Sequence, residues 1–174
     1  MSDSELIHRP AIGSAAVRGS DAFAIRAMPE GTLIHILGRP GGEDLTEMLR
    51  HLFGDEANTV RPAGPGQWLL VRDEATSHVD LQAKFGKLAP HIFAVDQSHG
   101  RVRIEVTGYA VQSLLAKGMA IDLDSMDVGH SSMALMGHFS VHITRVASDH
   151  FELIVLRSFG QSLWDEIAYL SADL

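Results

Sequence analysis

Residues 131–156 read SSMALMGHFSVHITRVASDHFELIVL. Three apolar-rich runs, Ser131–Met136, Phe139–Val146 and Phe151–Leu156, are separated by only two and four residues, with turns at Gly137-His138 and Ser148-Asp149. Parallel neighbours need a crossover of a dozen or more residues, so connections this short predict a three-stranded antiparallel meander. Upstream, Arg101–Thr107 gives the sharpest strand pattern in the chain. Val102, Ile104 and Val106 fall on one face, and Arg101, Arg103 and Glu105 on the other. Downstream, a helix is expected after Ser158, read as its N-cap, with Leu163, Ile167 and Leu170 on an apolar face and Trp164 beside them.

Reading back from this region, Gly108 opens a short helix to Lys117, stopped by Gly118, and a loop carrying Asp122, Asp124 and Asp127 follows. Ile92–Asp96 is a further strand, closed by a turn at Ser98-His99-Gly100. Asp73–Lys87 reads as a helix with Val79, Leu81, Phe85 and Leu88 as apolar contributors. Trp68–Val71 is a short strand, preceded by a Pro/Gly-rich loop from Arg61 to Gly66. Glu43–Phe53 is expected to be a helix: Leu45, Met48, Leu49 and Leu52 share one face, Glu43 and Asp44 sit in the first turn, and Gly54 ends it. Leu33–Leu37 is a strand stopped by Gly38–Gly42. Ordered structure is expected from Asp21, with Phe23, Ile25 and Ala27 alternating along a strand before a turn at Met28–Gly31. Residues 1–20 read as a flexible N-terminal arm that can wrap a neighbouring subunit. The expected fold is therefore α+β: an antiparallel or mixed sheet with helices packed on it, in one domain over residues 21–174.

Composition narrows the function. The chain has 174 residues, 14 Lys+Arg, 22 Asp+Glu and no cysteine, a net charge of −8. This length buries a core without covalent staples. Zero cysteines excludes a disulfide scaffold, Cys-ligated zinc or iron–sulfur, and a cysteine nucleophile. Net acidity argues against nucleic acid and anionic membranes, which need clustered Lys/Arg. No run approaches a membrane span, and MSDSELIHRP lacks the basic and apolar regions of a signal peptide, so a cytoplasmic location is expected.

The chemical candidates are sparse. Ten histidines is a high count. His138 and His142 point to one face of a strand but lie about 13 Å apart, too far for one ion to bridge. A metal site would have to recruit His130 and His150 across the sheet, and solvated or hydrogen-bonded histidines are the simpler reading. Asp122, Asp124 and Asp127 fail the EF-hand spacing and lack its glycine. Ser98 and His99 are adjacent on an extended chain and so point apart, which makes a hydrogen-bonded turn from Asp96 to His99 the better reading. Gly38–Gly42 precedes a helix but lacks the phosphate-loop pattern, and Glu43 and Asp44 would repel an anion. What remains is apolar surface. Phe159, Trp164 and Tyr169 lie in or near the last helix, with Met126, Met133 and Met136 before it. Core is the simpler reading, above all for Trp164, and the alternative is a protein interface with Arg157 as an anchor. A chain of this kind favours binding or scaffolding over independent catalysis.

Two sets of motifs carry a family resemblance. Val95-Asp96-Gln97-Ser98-His99-Gly100-Arg101, Leu114-Leu115-Ala116-Lys117-Gly118 and Asp122-Leu123 form the first. Phe151-Glu152-Leu153, Arg157-Ser158-Phe159 and Ser162-Leu163-Trp164 form the second. Together they resemble the gamma subunit of heterotetrameric sarcosine oxidase, closely from residue 95 onward and more loosely over 21–172. The resemblance implies a fold like the folate-binding domain of the glycine cleavage aminomethyltransferase. It implies alpha, beta and delta subunits as partners, in a complex that oxidatively demethylates sarcosine to glycine, passes the one-carbon unit to tetrahydrofolate and forms hydrogen peroxide. It places FAD, FMN, NAD and tetrahydrofolate on other subunits, and a zinc on delta, with no catalytic, cofactor or metal residue in gamma. The chain would then be an enzyme only as a subunit. Lys117-Gly118-Met119-Ala120 stands where Lys-Gly-Cys-Pro is common, and Ser131-Ser132-Met133-Ala134 where Cys-Ala-Gln-Thr is common. These departures leave open complexes acting on N-methylglutamate or 4-methylaminobutanoate, and a free-standing folate-binding module stays as a further alternative. The interface candidates are residues 1–20, His99, Arg101, Arg157 and Phe159.

Overall fold

The period-2 runs pair into two sheets in the computed structural model, which describes residues 9–13, 18–54, 58–172 and 174. In chain order the elements are β1 (Arg18–Gly19), β2 (Ala24–Ala27), β3 (Thr32–Gly38), α1 (Thr46–Phe53), β4 (Val60–Gly64), β5 (Gln67–Arg72) and α2 (His78–Gly86). They continue with β6 (Ile92–Asp96), β7 (Arg101–Thr107), α3 (Val111–Ala116), β8 (Ser131–Met136), β9 (Phe139–Ala147), β10 (His150–Leu156), a 3₁₀ turn at Arg157–Phe159 and α4 (Gly160–Leu170). One sheet runs β1-β2-β7-β10-β9-β8 and the other β4-β5-β3-β6. Every described pairing is antiparallel, so the class is α+β and no described pair is parallel.

The alternation along β7 places Ile104 and Val106 in the main core, where Val141, Ile143, Phe151 and Leu153 join them from the meander. Register makes this a continuous face, since Leu153 lies opposite Ile104 on one side and Ile143 on the other. Leu114 and Leu115 of α3 and Leu163 and Ile167 of α4 cover it. The second sheet buries Ile34, Ile36, Trp68 and Leu70 under Leu45, Leu49 and Phe53 around α1 and Leu81 of α2. The remaining faces of the sheets meet through Leu33, Leu69 and Val71 of one and Ile154 of the other. The order of layers is helices, sheet, sheet, helices. The polar face of β7 is thus turned inward, between the sheets.

Several elements depart from expectation, each for a local reason. The segment read as a loop at Arg61–Gly66 is strand β4 and its turn; β4 is an edge strand, where the missing Pro62 amide costs little. Helix α1 starts at Thr46, because the Asp44 carboxylate accepts from the Thr46 amide at 2.9 Å and its hydroxyl at 2.7 Å, leaving Glu43 and Asp44 ahead of the first turn. Its buried stripe is Leu45, Leu49 and Phe53, while Met48 and Leu52 are 47% and 38% exposed. Helix α2 starts at His78, since the Ser77 hydroxyl caps the Asp80 amide, and Val79 is exposed. Ser158 is not an N-cap: it lies within the 3₁₀ turn, and Phe159 takes the cap position with no side-chain hydrogen bond. Of the expected arm, residues 1–8 and 14–17 lie outside the described residues. Ile12 is buried in the main core, and the Gly13 amide donates to Gln161 Oε1 at 2.8 Å. No helix among the described residues is long and apolar enough to cross a membrane.

Candidate functional site

Four chain segments meet at one end of the inter-sheet layer: residues 9–13, the Met28–Gly31 turn, the turn between β6 and β7, and the 3₁₀ turn. The β6–β7 turn is built by Asp96, whose carboxylate accepts from the Ser98 amide at 2.9 Å and the Ser98 hydroxyl at 2.6 Å. Burial raises the Asp96 carboxyl, but these hydrogen bonds outweigh it and hold the group below its ordinary value. Ser98 Oγ also accepts the Leu33 amide, which ties the turn to β3. Ser98 and His99 therefore serve separate partners, as their adjacency on an extended chain implies. The Met28–Gly31 turn closes against β5, where a Cβ on Gly31 would meet the carbonyl oxygens of Arg72 and Asp73.

Glu30 is the centre of this junction. Its Oε1 accepts from Arg157 Nη1 at 2.6 Å, and its Oε2 lies 3.6 Å from His99 Nδ1. Arg157 Nη2 donates to the Arg9 carbonyl at 2.6 Å. Arg157 thus bridges the N-terminal segment to the Met28–Gly31 turn. Arg101 lies beside them in the wall of a cavity of about 430 Å³, with Pro10, Ile12, Met28, Glu30 and Val102. Its Nε is buried without a hydrogen-bond partner, and burial lowers its pKa. Three of the four predicted interface side chains, His99, Arg101 and Arg157, come together here. Phe159 does not line the cavity; it is 44% exposed and stacks obliquely on Phe139, centroids 5.8 Å apart.

A second polar cluster lies deeper. Arg61 of β4 and Arg103 of β7 converge on Glu152 of β10, with Arg61 Nη1 at 2.7 Å and Arg103 Nε at 2.9 Å from the same oxygen. Arg103 Nη2 also reaches Asp73 at 2.7 Å. Burial raises the Glu152 carboxyl, yet the two guanidinium groups outweigh that and hold it at about 2. His142, buried beside them, donates from Nε2 to the Pro62 carbonyl at 2.9 Å, and burial pushes its pKa down to about 4. Sequence reasoning missed Glu30, Arg61 and Glu152. The available signal for Glu152 was a lone acid inside the apolar run Phe151–Leu156, on a strand expected to pair.

The histidines are dispersed. His150 Nε2 lies 2.8 Å from Glu105, while His130 and His138 are exposed. Among the described residues no group of three or more His, Asp or Glu is placed to hold a metal ion. Trp164, Met126 and Met136 are core, whereas Met133 and Tyr169 are 45% and 76% exposed.

A helix-covered pair of antiparallel sheets places this chain in a class of α+β folds with solved members. A chain of the heterotetrameric sarcosine oxidase from Corynebacterium sp. U-96, solved in complex with pyrrole 2-carboxylate, superposes with a TM-score of 0.74 at 21% identity, covering 95% of this chain and 97% of that one. The glycine cleavage system aminomethyltransferase T from Bartonella henselae gives 0.55 at 14% identity, over 82% of this chain and 44% of that one. At these identities the likeness is one of fold. No curated protein sequence matches the chain. The model of the sarcosine oxidase, gamma subunit family matches residues 48–173, and the chain belongs to that family.

Proposed function

We propose that the chain is a non-catalytic, structural subunit of a heterotetrameric sarcosine oxidase, with alpha, beta and delta chains as its partners. In this reading the complex demethylates sarcosine oxidatively to glycine, passes the one-carbon unit to tetrahydrofolate and reduces oxygen to hydrogen peroxide in the cytoplasm. FAD, FMN, NAD and tetrahydrofolate are held by the other chains. Residues 21–174 act as one gamma-type domain, and residues 1–20 as an arm that is anchored on that domain at Ile12 and Gly13 and extends toward a neighbour.

Family membership over residues 48–173 carries the reading. A structural role is supported by how the charged groups are used: Glu30, Asp96 and Glu152 each hold protein segments together. Among the side chains proposed for the interface, Phe159 is the exposed apolar one, at 44%. The junction of His99, Arg101 and Arg157 would then be the docking end of the molecule.

The test is native isolation of the chain from its source cells, reading mass and visible absorbance together. A yellow assembly that forms peroxide with sarcosine is expected. A colourless species near 18.9 kDa would overturn the subunit role. Peroxide formation with N-methylglutamate or 4-methylaminobutanoate instead would keep the subunit role and change the substrate.

A further inference from the structure

The cavity beside Arg101 lies at the margin of the main core, which supplies Ile12 and Val102 to its wall. Its volume, about 430 Å³, falls in the range of small-molecule sites. Pro10, Ala11, Ile12, Ala27, Met28 and Val102 make its wall largely apolar. Charge is distributed unevenly over the polar groups that remain. Glu30 is engaged with Arg157 and His99, and Arg103 is committed to Glu152 and Asp73. Ser98 is committed to Asp96 and the Leu33 amide. Arg101 is the exception: half-buried, its Nε is orphaned, and no described carboxylate pairs with it. An unpaired guanidinium is costly away from water, and a planar fork of donors suits a carboxylate in bidentate geometry.

We propose that this cavity binds a carboxylate carried on an apolar stem, the anion pairing with Arg101 and the stem lying against Ile12, Met28 and Val102. Two sources share that chemistry, a small monocarboxylic acid and an acidic side chain inserted by a partner subunit. The site is a property of this chain alone, and only the second source rests on the subunit reading.

Sodium isovalerate titrated into the full chain is the probe, with isovaleramide as its uncharged isostere and backbone amide NMR as the readout. Saturable shifts at Gly31, Ser98 and Val102 are expected, with isovalerate about tenfold tighter than the amide, the worth of one charge-assisted hydrogen bond. Arg101→Gln should abolish that preference. Ala11→Leu, which narrows the cavity and keeps the guanidinium, should weaken both probes together. Equal binding of acid and amide, or no saturable shift at about 100 mM acid, would overturn the proposal. Circular dichroism of each variant separates lost binding from lost folding. Repeating the titration on the assembled complex separates the sources: a site that disappears on assembly is filled by a partner's side chain, and one that persists takes a small acid.

Discussion

Arg61 and Glu152 form a buried ion pair, Nη1 to Oε1 at 2.7 Å, that joins β4 of one sheet to β10 of the other. Both side chains are 5% exposed, and Arg103 shares the same carboxylate. The apolar contact between the sheets is small, formed by Leu33, Leu69, Val71 and Ile154. Relative placement of the sheets therefore rests heavily on this triad.

Glu152→Ala should destabilise the fold by about 3–5 kcal/mol, because it strands two buried guanidinium groups. Asp73 also binds Arg103 but is 64% exposed, so Asp73→Asn should cost less than about 1 kcal/mol. Urea unfolding of the two variants checks the contrast, and equal effects would remove the triad from its central role.

Acid should weaken the fold in two windows. His142 has its pKa lowered from 6.5 to about 4, so the unfolded chain takes up a proton before the folded one. Its contribution is fully present above pH 6.5 and is lost as pH falls toward 4, of the order of 3 kcal/mol in all. Glu152, at about 2 against an ordinary 4.5, contributes above pH 4.5 and loses that contribution as pH falls toward 2. In urea titrations from pH 7.5 downward, His142→Leu should flatten the upper window and leave the lower one. An unchanged slope between pH 6.5 and 4 would refute the assignment.

Arg157→Ala should release the N-terminal segment. It removes the bonds to Glu30 Oε1 and the Arg9 carbonyl while leaving the pairing of β7 with β10 untouched. Faster hydrogen exchange at the amides of Ile12 and Gly13 is expected, with little change in the β7–β10 amides. Uniform acceleration across the chain would mean that Arg157 supports the whole fold instead.

Leu49→Ala should cost about 2–5 kcal/mol, and Met48→Ala within about 0.5 kcal/mol. Both residues belong to the apolar face read from the sequence of α1, but Leu49 is fully buried and Met48 is 47% exposed. Thermal melts of the two variants decide whether the buried stripe is Leu45, Leu49 and Phe53.

The difference at α1 shows how far periodicity reaches. Leu45, Met48, Leu49 and Leu52 satisfy the helical spacing, yet four-residue steps through Leu45, Leu49 and Phe53 are what meet the sheet. A helical pattern restricts the apolar side to a broad arc, and the packing partner selects the stripe within it. Val60–Gly64 was illegible for a different reason. Its Pro and Gly residues carry turn propensity, and only the presence of β5 on one side and no described strand on the other makes an edge strand of it.

By itself the sequence determined the meander of β8, β9 and β10, the alternation of β7, the apolar face of α4 and the absence of cysteine chemistry. These are local properties, because strand and helix periods and turn residues act over a few positions. It also placed His99, Arg101 and Arg157 among the residues of interest. Tertiary structure alone decided that the charged face of β7 is buried, that Arg61 and Arg103 share Glu152, and that Glu30 gathers His99 and Arg157 beside an orphaned Arg101. Residue spacing says which side chains share a face, but the pairing of charges depends on which faces meet, and that is settled only when the two sheets stack.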